Sequence, residues 1–214
     1  MATAGRSALR IVMSVTLDAV RRALEFEPTP LHQDGVRRAA VAMILDDRLD
    51  VLLTQRAERP GDPWSGHLSF PGGHVEPADP SDLGAAIRET EEEVELSLPT
   101  SSFIGPLTPI PTRGRGVPRR IISPFVFHID DLTITRDLTP NDEVAAVHHV
   151  PLPFLLSGEG RSHFTLQHQG TGWTLPQVRL GDVRLWGLTL QIVDELLDRL
   201  DGRGTGLDRP LGAP

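Results

Sequence analysis

The chain has 214 residues, no cysteine and a net charge of −8, with 21 Lys and Arg against 29 Asp and Glu. That balance excludes a general nucleic-acid binder, which needs surplus cations to contact phosphates. The missing cysteines exclude disulfides, thiolate metal sites and cysteine nucleophiles. Hydrophobic content of 39% and charged content of 23% are ordinary for a globular protein. No apolar run approaches the ~20 residues of a membrane span, so the expectation is a cytoplasmic protein with no membrane partner.

Residues 1–34 read as an N-terminal extension. Its apolar stretch "IVMSVTLDAV" is interrupted by Ser14, Thr16 and Asp18, and reads as folded chain instead of a secretion signal. Leu17, Val20, Ala23 and Leu24 fall at helical spacing, and Pro28 and Pro30 end the pattern. From Gly35 the apolar runs "AAVAMIL" and "VLLTQR", joined by "DDRLD", predict a hairpin. "LSFPGGHVEPAD" ends a strand in a Pro-Gly-Gly turn, where glycine allows close approach to the backbone.

A helix is predicted over Ser81 to Leu96, with Ser81 and Asp82 at its start and Pro99 beyond its end. At ~100° per residue, Leu83, Ile87, Thr90 and Val94 share the core-facing arc. Arg88, Glu89, Glu92 and Glu93 share the adjoining arc, and Glu91 and Glu95 point to water. Like charges at this spacing repel by a few tenths of a kcal/mol per pair. A solvated face would tolerate that; so would a bound cation. A hard divalent ion takes oxygen ligands, which suits several carboxylates and a backbone carbonyl of the glycine turn.

Further along, "RIISPFVFHI" predicts a strand that Pro124 places at an edge or bulge. "EVAAVHHVPL" predicts another, in which His148 and His149 point to opposite faces and cannot chelate together. "WGLTLQIVDELLDRL" predicts a helix with Leu188, Ile192, Leu196 and Leu200 on one stripe, and residues 201–214 read as a flexible tail. His67 and His74 flank the glycine turn within reach of a substrate but are read as structural. Trp64, Trp173 and Trp186 are read as packing residues. Strands and helices mix without β-α-β alternation, so the expected class is α/β of the mixed α+β kind, a mixed sheet between helices.

Gly73, Asp79 and Arg88-Glu89-x-x-Glu92-Glu93 together resemble the Nudix box. That pattern runs Gly, five residues, Glu, seven residues, Arg-Glu, aliphatic, any, Glu-Glu, any, Gly, aliphatic. Here Asp79 replaces the first Glu with eight residues before Arg88, Thr90 replaces the aliphatic residue, and Glu95 replaces the late Gly. The resemblance implies an α/β/α sandwich over residues 35–200 with helical additions at both ends, and a pyrophosphohydrolase using Mg²⁺ or Mn²⁺. It implies Glu89, Glu92, Glu93, the Gly73 carbonyl and an acid outside the box, Glu143, as metal ligands, with Arg88 orienting the helix carboxylates.

A second stretch, "LLTQRAERPGDPWSGHLSFPGG" (residues 52–73), is similar to the segment before the box in Nudix hydrolases acting on coenzyme A. That likeness implies coenzyme A as the small-molecule substrate, cut to 3′,5′-ADP and 4′-phosphopantetheine. Arg56 and Arg59 lie in this stretch. "RGRGVPRR" adds Arg113, Arg115, Arg119 and Arg120, the densest basic segment and a candidate phosphate reader. The alternatives are a Nudix pyrophosphatase for another nucleoside diphosphate derivative, and a non-catalytic nucleotide-binding Nudix-like module.

Overall fold

The computed structural model describes residues 15–25, 28–29, 31, 35–62, 64–112, 120–168 and 171–202. Residues 24–149 form one compact unit, and the described parts of 1–23 and 150–214 form a second.

The first unit is organised around a mixed sheet. Strand β1 (Arg37–Asp46) pairs in parallel with β7 (Arg120–Ile129) over its whole length, from Arg37 opposite Arg120 to Asp46 opposite Ile129. Its other side is shared by β2 (Asp50–Arg56) and β4 (Gly72–His74), both antiparallel to it. β3 (Leu68–Ser69) and β8 (Val144–Pro151) pair with β2, while β5 (Phe103–Pro106) and β6 (Ile110–Pro111) pair with β7. From Ala39 onward β1 is almost continuously buried. That is the signature of a strand covered on both faces, and it explains why "AAVAMIL" has no polar alternation.

The predicted hairpin is β1–β2. Asp46, 1% exposed, closes its turn by accepting from the Arg48 and Asp50 backbone N–H groups, each at 2.9 Å. Arg136 of the short helix α3 (Leu132–Arg136) bridges Asp46 at 2.7 Å and Asp50 at 2.6 Å.

Pro124 is not at an edge. β7 has partners on both sides, and the Pro124 carbonyl accepts from Leu107 N–H at 3.0 Å. A strand residue presents its N–H and C=O to the same neighbour, so the missing N–H falls between the end of β5 and the start of β6. The ladder is already interrupted there, so proline breaks no bond.

Helix α2 (Asp82–Val94) follows β4 and lies against the sheet. Ala40, Ala42, Ile44, Ala85, Ala86, Val94 and Phe127 form the buried cluster between them, with Leu83 and Ile87 packed at its margin. Ser81 accepts from Gly84 N–H as the N-cap at 3.1 Å. Thr90, where the Nudix box has an aliphatic residue, is fully buried, and its hydroxyl donates to the Ala86 carbonyl at 2.7 Å. A satisfied hydroxyl is tolerated in an apolar contact. Glu95 closes the helix in the left-handed region, φ 54°, at the position where the box pattern has glycine.

In the second unit, β9 (Arg161–His168), β10 (Thr171–Leu180) and β11 (Val183–Trp186) form a three-stranded antiparallel sheet that the sequence reading missed. It packs with α5 (Gly187–Asp201), which is in contact with α1 (Leu17–Ala23); α4 (Leu152–Ser157) also belongs to this unit. The buried stripe of α5 runs through Leu190, Val193, Leu196 and Leu197, and Leu188, expected inside, is 39% exposed. A buried ion pair of Arg161 with Asp194 ties β9 to α5. Trp186 meets Phe164 edge-on at 5.1 Å, whereas Trp64 and Trp173, expected to pack, are exposed. Among the described residues no helix is long and apolar enough to cross a membrane.

A non-glycine residue in the left-handed region carries strain of about 1 kcal/mol. Replacing Glu95 by Gly is therefore expected to raise stability by about 0.5 to 1 kcal/mol after the added chain entropy is counted. Urea unfolding of the two proteins measures it; a lower midpoint for Glu95→Gly contradicts the cap assignment.

Candidate active site

The glycine turn and α2 meet at one point. Gly72 sits at φ 148°, and a side chain there would strike the Ala40 carbonyl. At Gly73 a Cβ would lie 2.5 Å from the Glu89 carboxylate. Both glycines are thus required by close approach, the second by the carboxylate itself.

Glu93, one turn along α2, is 9% exposed. Burial, then the charge of Glu89, push its carboxyl up to about 8, and a hydrogen bond from the Gly72 backbone and the charge of Arg56 only partly offset this. Burial also raises Glu89, against the pull of Arg88. Both shifts have the same origin: a carboxylate taken out of water next to another carboxylate is costly to ionise.

Arg88 organises the neighbourhood. It donates to Asp79 from Nε at 2.9 Å and from Nη2 at 3.1 Å, to Glu92 at 2.9 Å, to Glu89 at 3.1 Å and to the His74 carbonyl at 3.0 Å. The Asp79 side chain is 5% exposed. Arg88 and then the Glu76 backbone N–H hold its carboxyl below the usual range. Asp79 thus anchors Arg88 to the loop after β4.

The segment before β8 closes the far side. Asn141 accepts nothing from the helix but donates to its end: its side-chain amide to the Glu92 carbonyl at 2.9 Å, its N–H to the Glu93 carbonyl at 2.9 Å. Its side-chain oxygen in turn accepts from Glu143 N–H at 2.8 Å. Glu143 lies near enough to Glu93 to raise it further. It also pairs with Arg59 at 3.3 Å, while Arg56 pairs with Asp62 at 3.0 Å. Asn141 had no signal in the sequence beyond its place two residues before Glu143.

Of the predicted site residues, Gly73, Arg88, Glu89, Glu92, Glu93 and Glu143 surround one helix end and turn, with Arg56 and Arg59 beside Glu93 and Glu143. Arg120 begins β7. Arg113, Arg115 and Arg119 lie outside the described residues. Glu92 differs from its neighbours: its side chain is 55% exposed and engaged by Arg88. His74, beside Gly73, is held below its ordinary value by burial, then by Arg120 and Arg37. His148 bonds Gln55 at 3.0 Å and His149 approaches Asp46 at 4.0 Å, so the two imidazoles turn to different partners.

Among the described residues no three carboxylates or imidazoles already converge as a metal cage. The donors nevertheless fit a hard cation. Glu89 and Glu93 are desolvated and mutually repelling, and the residue facing Glu89 is a glycine, whose missing side chain lets the Glu89 carboxylate lie close to the backbone of the turn.

The chain matches the NUDIX domain over residues 35–177. It belongs to the Nudix family. It is similar to the mitochondrial coenzyme A diphosphatase NUDT8 of Mus musculus, 34% identical over 153 residues, which are 70% of this chain and 70% of that protein. It is also similar to the uncharacterized Nudix hydrolase NudL of Escherichia coli, 34% identical over 189 residues, 86% of this chain and 94% of that one. A MutT/nudix family protein from Enterococcus faecalis superposes with a TM-score of 0.54 at 18% identity, covering 94% of this chain and 76% of that chain. This structural likeness shows the shared α/β fold. As a member of the Nudix family the chain is a pyrophosphohydrolase.

The raised carboxyl of Glu93 predicts a pH effect on the metal-free protein. The folded state holds a proton that the unfolded chain releases, so the contribution of Glu93 to stability is fully present below 4.5 and is lost as pH rises toward about 8. The melting temperature of metal-free protein should fall across that window, and Glu93→Gln should flatten the fall. Parallel profiles for the two proteins contradict the assignment.

Proposed function

We propose that the chain hydrolyses the diphosphate bond of coenzyme A and its derivatives, with Mg²⁺ or Mn²⁺, to 3′,5′-ADP and 4′-phosphopantetheine. The observation that carries the chemistry is the desolvated pair Glu89 and Glu93 against the glycine turn. The substrate reading is supported by the segment of residues 52–73 and by the likeness to a protein named as a coenzyme A diphosphatase.

In this reading Glu89, Glu92, Glu93 and the Gly73 carbonyl hold the metal, with Glu143 joining from the loop before β8. A divalent ion there neutralises the diphosphate and makes a bound water more acidic. A carboxylate of the cluster accepts the proton that the attacking water gives up. Arg88, anchored on Asp79, is a positioning residue: its hydrogen bonds fix the direction of the Glu89 and Glu92 carboxylates. Arg56, Arg59 and Arg120 supply positive charge for the substrate phosphates, with Arg113, Arg115 and Arg119 from the segment before β7. The exposed Arg59–Glu143 ion pair is weak, so Arg59 can turn to a substrate phosphate at little cost. Residues 35–200 act as one catalytic domain, between an extension over 1–34 and a tail over 201–214.

The test is product analysis on purified protein with and without Mg²⁺, offering coenzyme A, ADP-ribose, diadenosine polyphosphates and nucleoside triphosphates. Metal-dependent release of 3′,5′-ADP, far above turnover of the others, is expected. Glu89→Gln and Glu93→Gln, confirmed folded by circular dichroism, should each lower that rate by at least about 100-fold. Activity confined to another substrate sinks the coenzyme A reading; full activity in either variant sinks the site.

A further inference from the structure

Two arginines of the first unit lie opposite one another on neighbouring strands of the sheet. Arg38 donates to Asp82 of α2 at 2.6 Å, and Ser123, paired with Ala40, donates to the same carboxylate at 2.8 Å. Arg38, Ala40 and Ser123 therefore face α2. Side chains alternate along a strand, so Arg37 faces the other way. Its register partner Arg120 does too, and so does His74, paired with Ala39. Three basic side chains thus share the face opposite α2, starting one residue from Gly73.

Among the described residues no carboxylate neutralises this group: no ion pair joins Arg37 or Arg120 to one. The Arg120 Nε is buried without a hydrogen-bond partner. The nearby acids are engaged elsewhere: Asp82 with Arg38 and Ser123, Asp79 with Arg88. Glu76, next along from β4, forms no ion pair and instead adds to the repulsion at Glu89. Like charges directly opposite on neighbouring strands destabilise a sheet. A buried donor left unpaired costs more than the hydrogen bond it forgoes. In a chain with a net charge of −8, two guanidinium groups opposite one another without an acid among the described residues are suited to receive an anion from outside. Arginine suits a phosphate, which it can grip through two parallel N–H donors.

We propose that Arg37 and Arg120, with His74 beside them, form a subsite for a phosphate monoester of the substrate, distinct from the diphosphate that is cut. The position supports this. β4 pairs only with β1, so its other edge is open among the described residues. A substrate passing that edge has its diphosphate at Gly73 and Glu89 and a second phosphate about one residue away, ~3.3 Å along the strand plus the reach of an arginine. The substrate class selected is a nucleoside diphosphate derivative with an additional phosphate on its ribose. The proposal rests on the hydrolase reading above and adds to it the residues that discriminate. Arg37 has no substrate role in the sequence pattern, and His74, within reach of a substrate, reads there as structural.

The experiment compares the full chain with Arg37→Gln and Arg120→Gln in two ways. Equilibrium binding of adenosine 3′,5′-bisphosphate is set against binding of adenosine 5′-monophosphate. Steady-state kinetics are measured on coenzyme A and its 3′-dephospho form. The wild type should bind the bisphosphate at least about tenfold more tightly, the worth of a charge-assisted hydrogen bond. Either substitution should erase that preference and raise KM for coenzyme A by clearly more than it raises KM for the 3′-dephospho form. Arg37 is solvent-exposed, so its substitution keeps the fold, and Arg120→Lys should restore part of the preference. Equal binding of the two nucleotides by the wild type overturns the proposal. So does a substitution that weakens both substrates alike, since it puts the arginines on the diphosphate. A wild type that discriminates between the nucleotides and loses this on substitution, yet cleaves neither form of coenzyme A, sustains the subsite and defeats the coenzyme A reading.

Discussion

Two carboxylates on successive turns of α2, Glu89 and Glu93, are held out of water against a pair of glycines. Glu93 has a backbone hydrogen bond but no ion pair among the described residues, and its carboxyl is raised to about 8. A sequence shaped only by stability would avoid this, because an unpaired buried charge is among the costliest features a fold can carry. The surroundings make the arrangement obligatory. Any side chain at Gly73 would occupy the space of the Glu89 carboxylate, and any at Gly72 would collide with β1. The cation of the proposed function would complete the charge balance that this local cost leaves open.

The rest of the first unit serves to keep that pair in place. The parallel β1–β7 pair supplies a rigid floor, and the Ala40–Ala42–Ile44 face accepts the small residues Ala85 and Ala86, which lets α2 come close. Arg38 and Ser123 hold the start of α2 through Asp82, and Asn141 holds its end through the Glu92 and Glu93 carbonyls. Arg88 and Asp79 connect the middle of the helix to the loop that follows β4. Each turn of the helix is thus fixed to a different part of the sheet or its loops. Presenting carboxylates to the proposed ion would need this rigidity.

Much of this was legible in the sequence where a single period or a single residue type controls the outcome. The arc of Arg88, Glu89, Glu92 and Glu93 follows from helix geometry, and the β1–β2 hairpin from two apolar runs around a polar turn. The bounds of β7 coincide with the apolar run that predicted it. What escaped detection depends on partners far away in the chain. The β9–β10 hairpin has exposed faces over much of its length, so no clean alternation announced it. Pro124 suggested an edge or a bulge because the gap between β5 and β6 cannot be foreseen from β7. Leu188 looked like part of the α5 stripe but lies before the register that Leu190 and Val193 set. In the candidate site, Asn141 and Arg37 carry no local mark: one acts through helix-end carbonyls, the other through a register partner more than eighty positions away.

The central claim is that a divalent cation, not solvent, balances Glu89 and Glu93. Calorimetric titration of metal-free protein with Mn²⁺ at pH 7, repeated in buffers of different ionisation enthalpy, tests it most directly. A carboxyl with a value of about 8 is largely protonated at that pH, and metal ligation requires it to ionise. The account predicts one binding event that releases close to one proton, with the release abolished in Glu93→Gln. Binding with no proton release, or with the same release in Glu93→Gln, would contradict it.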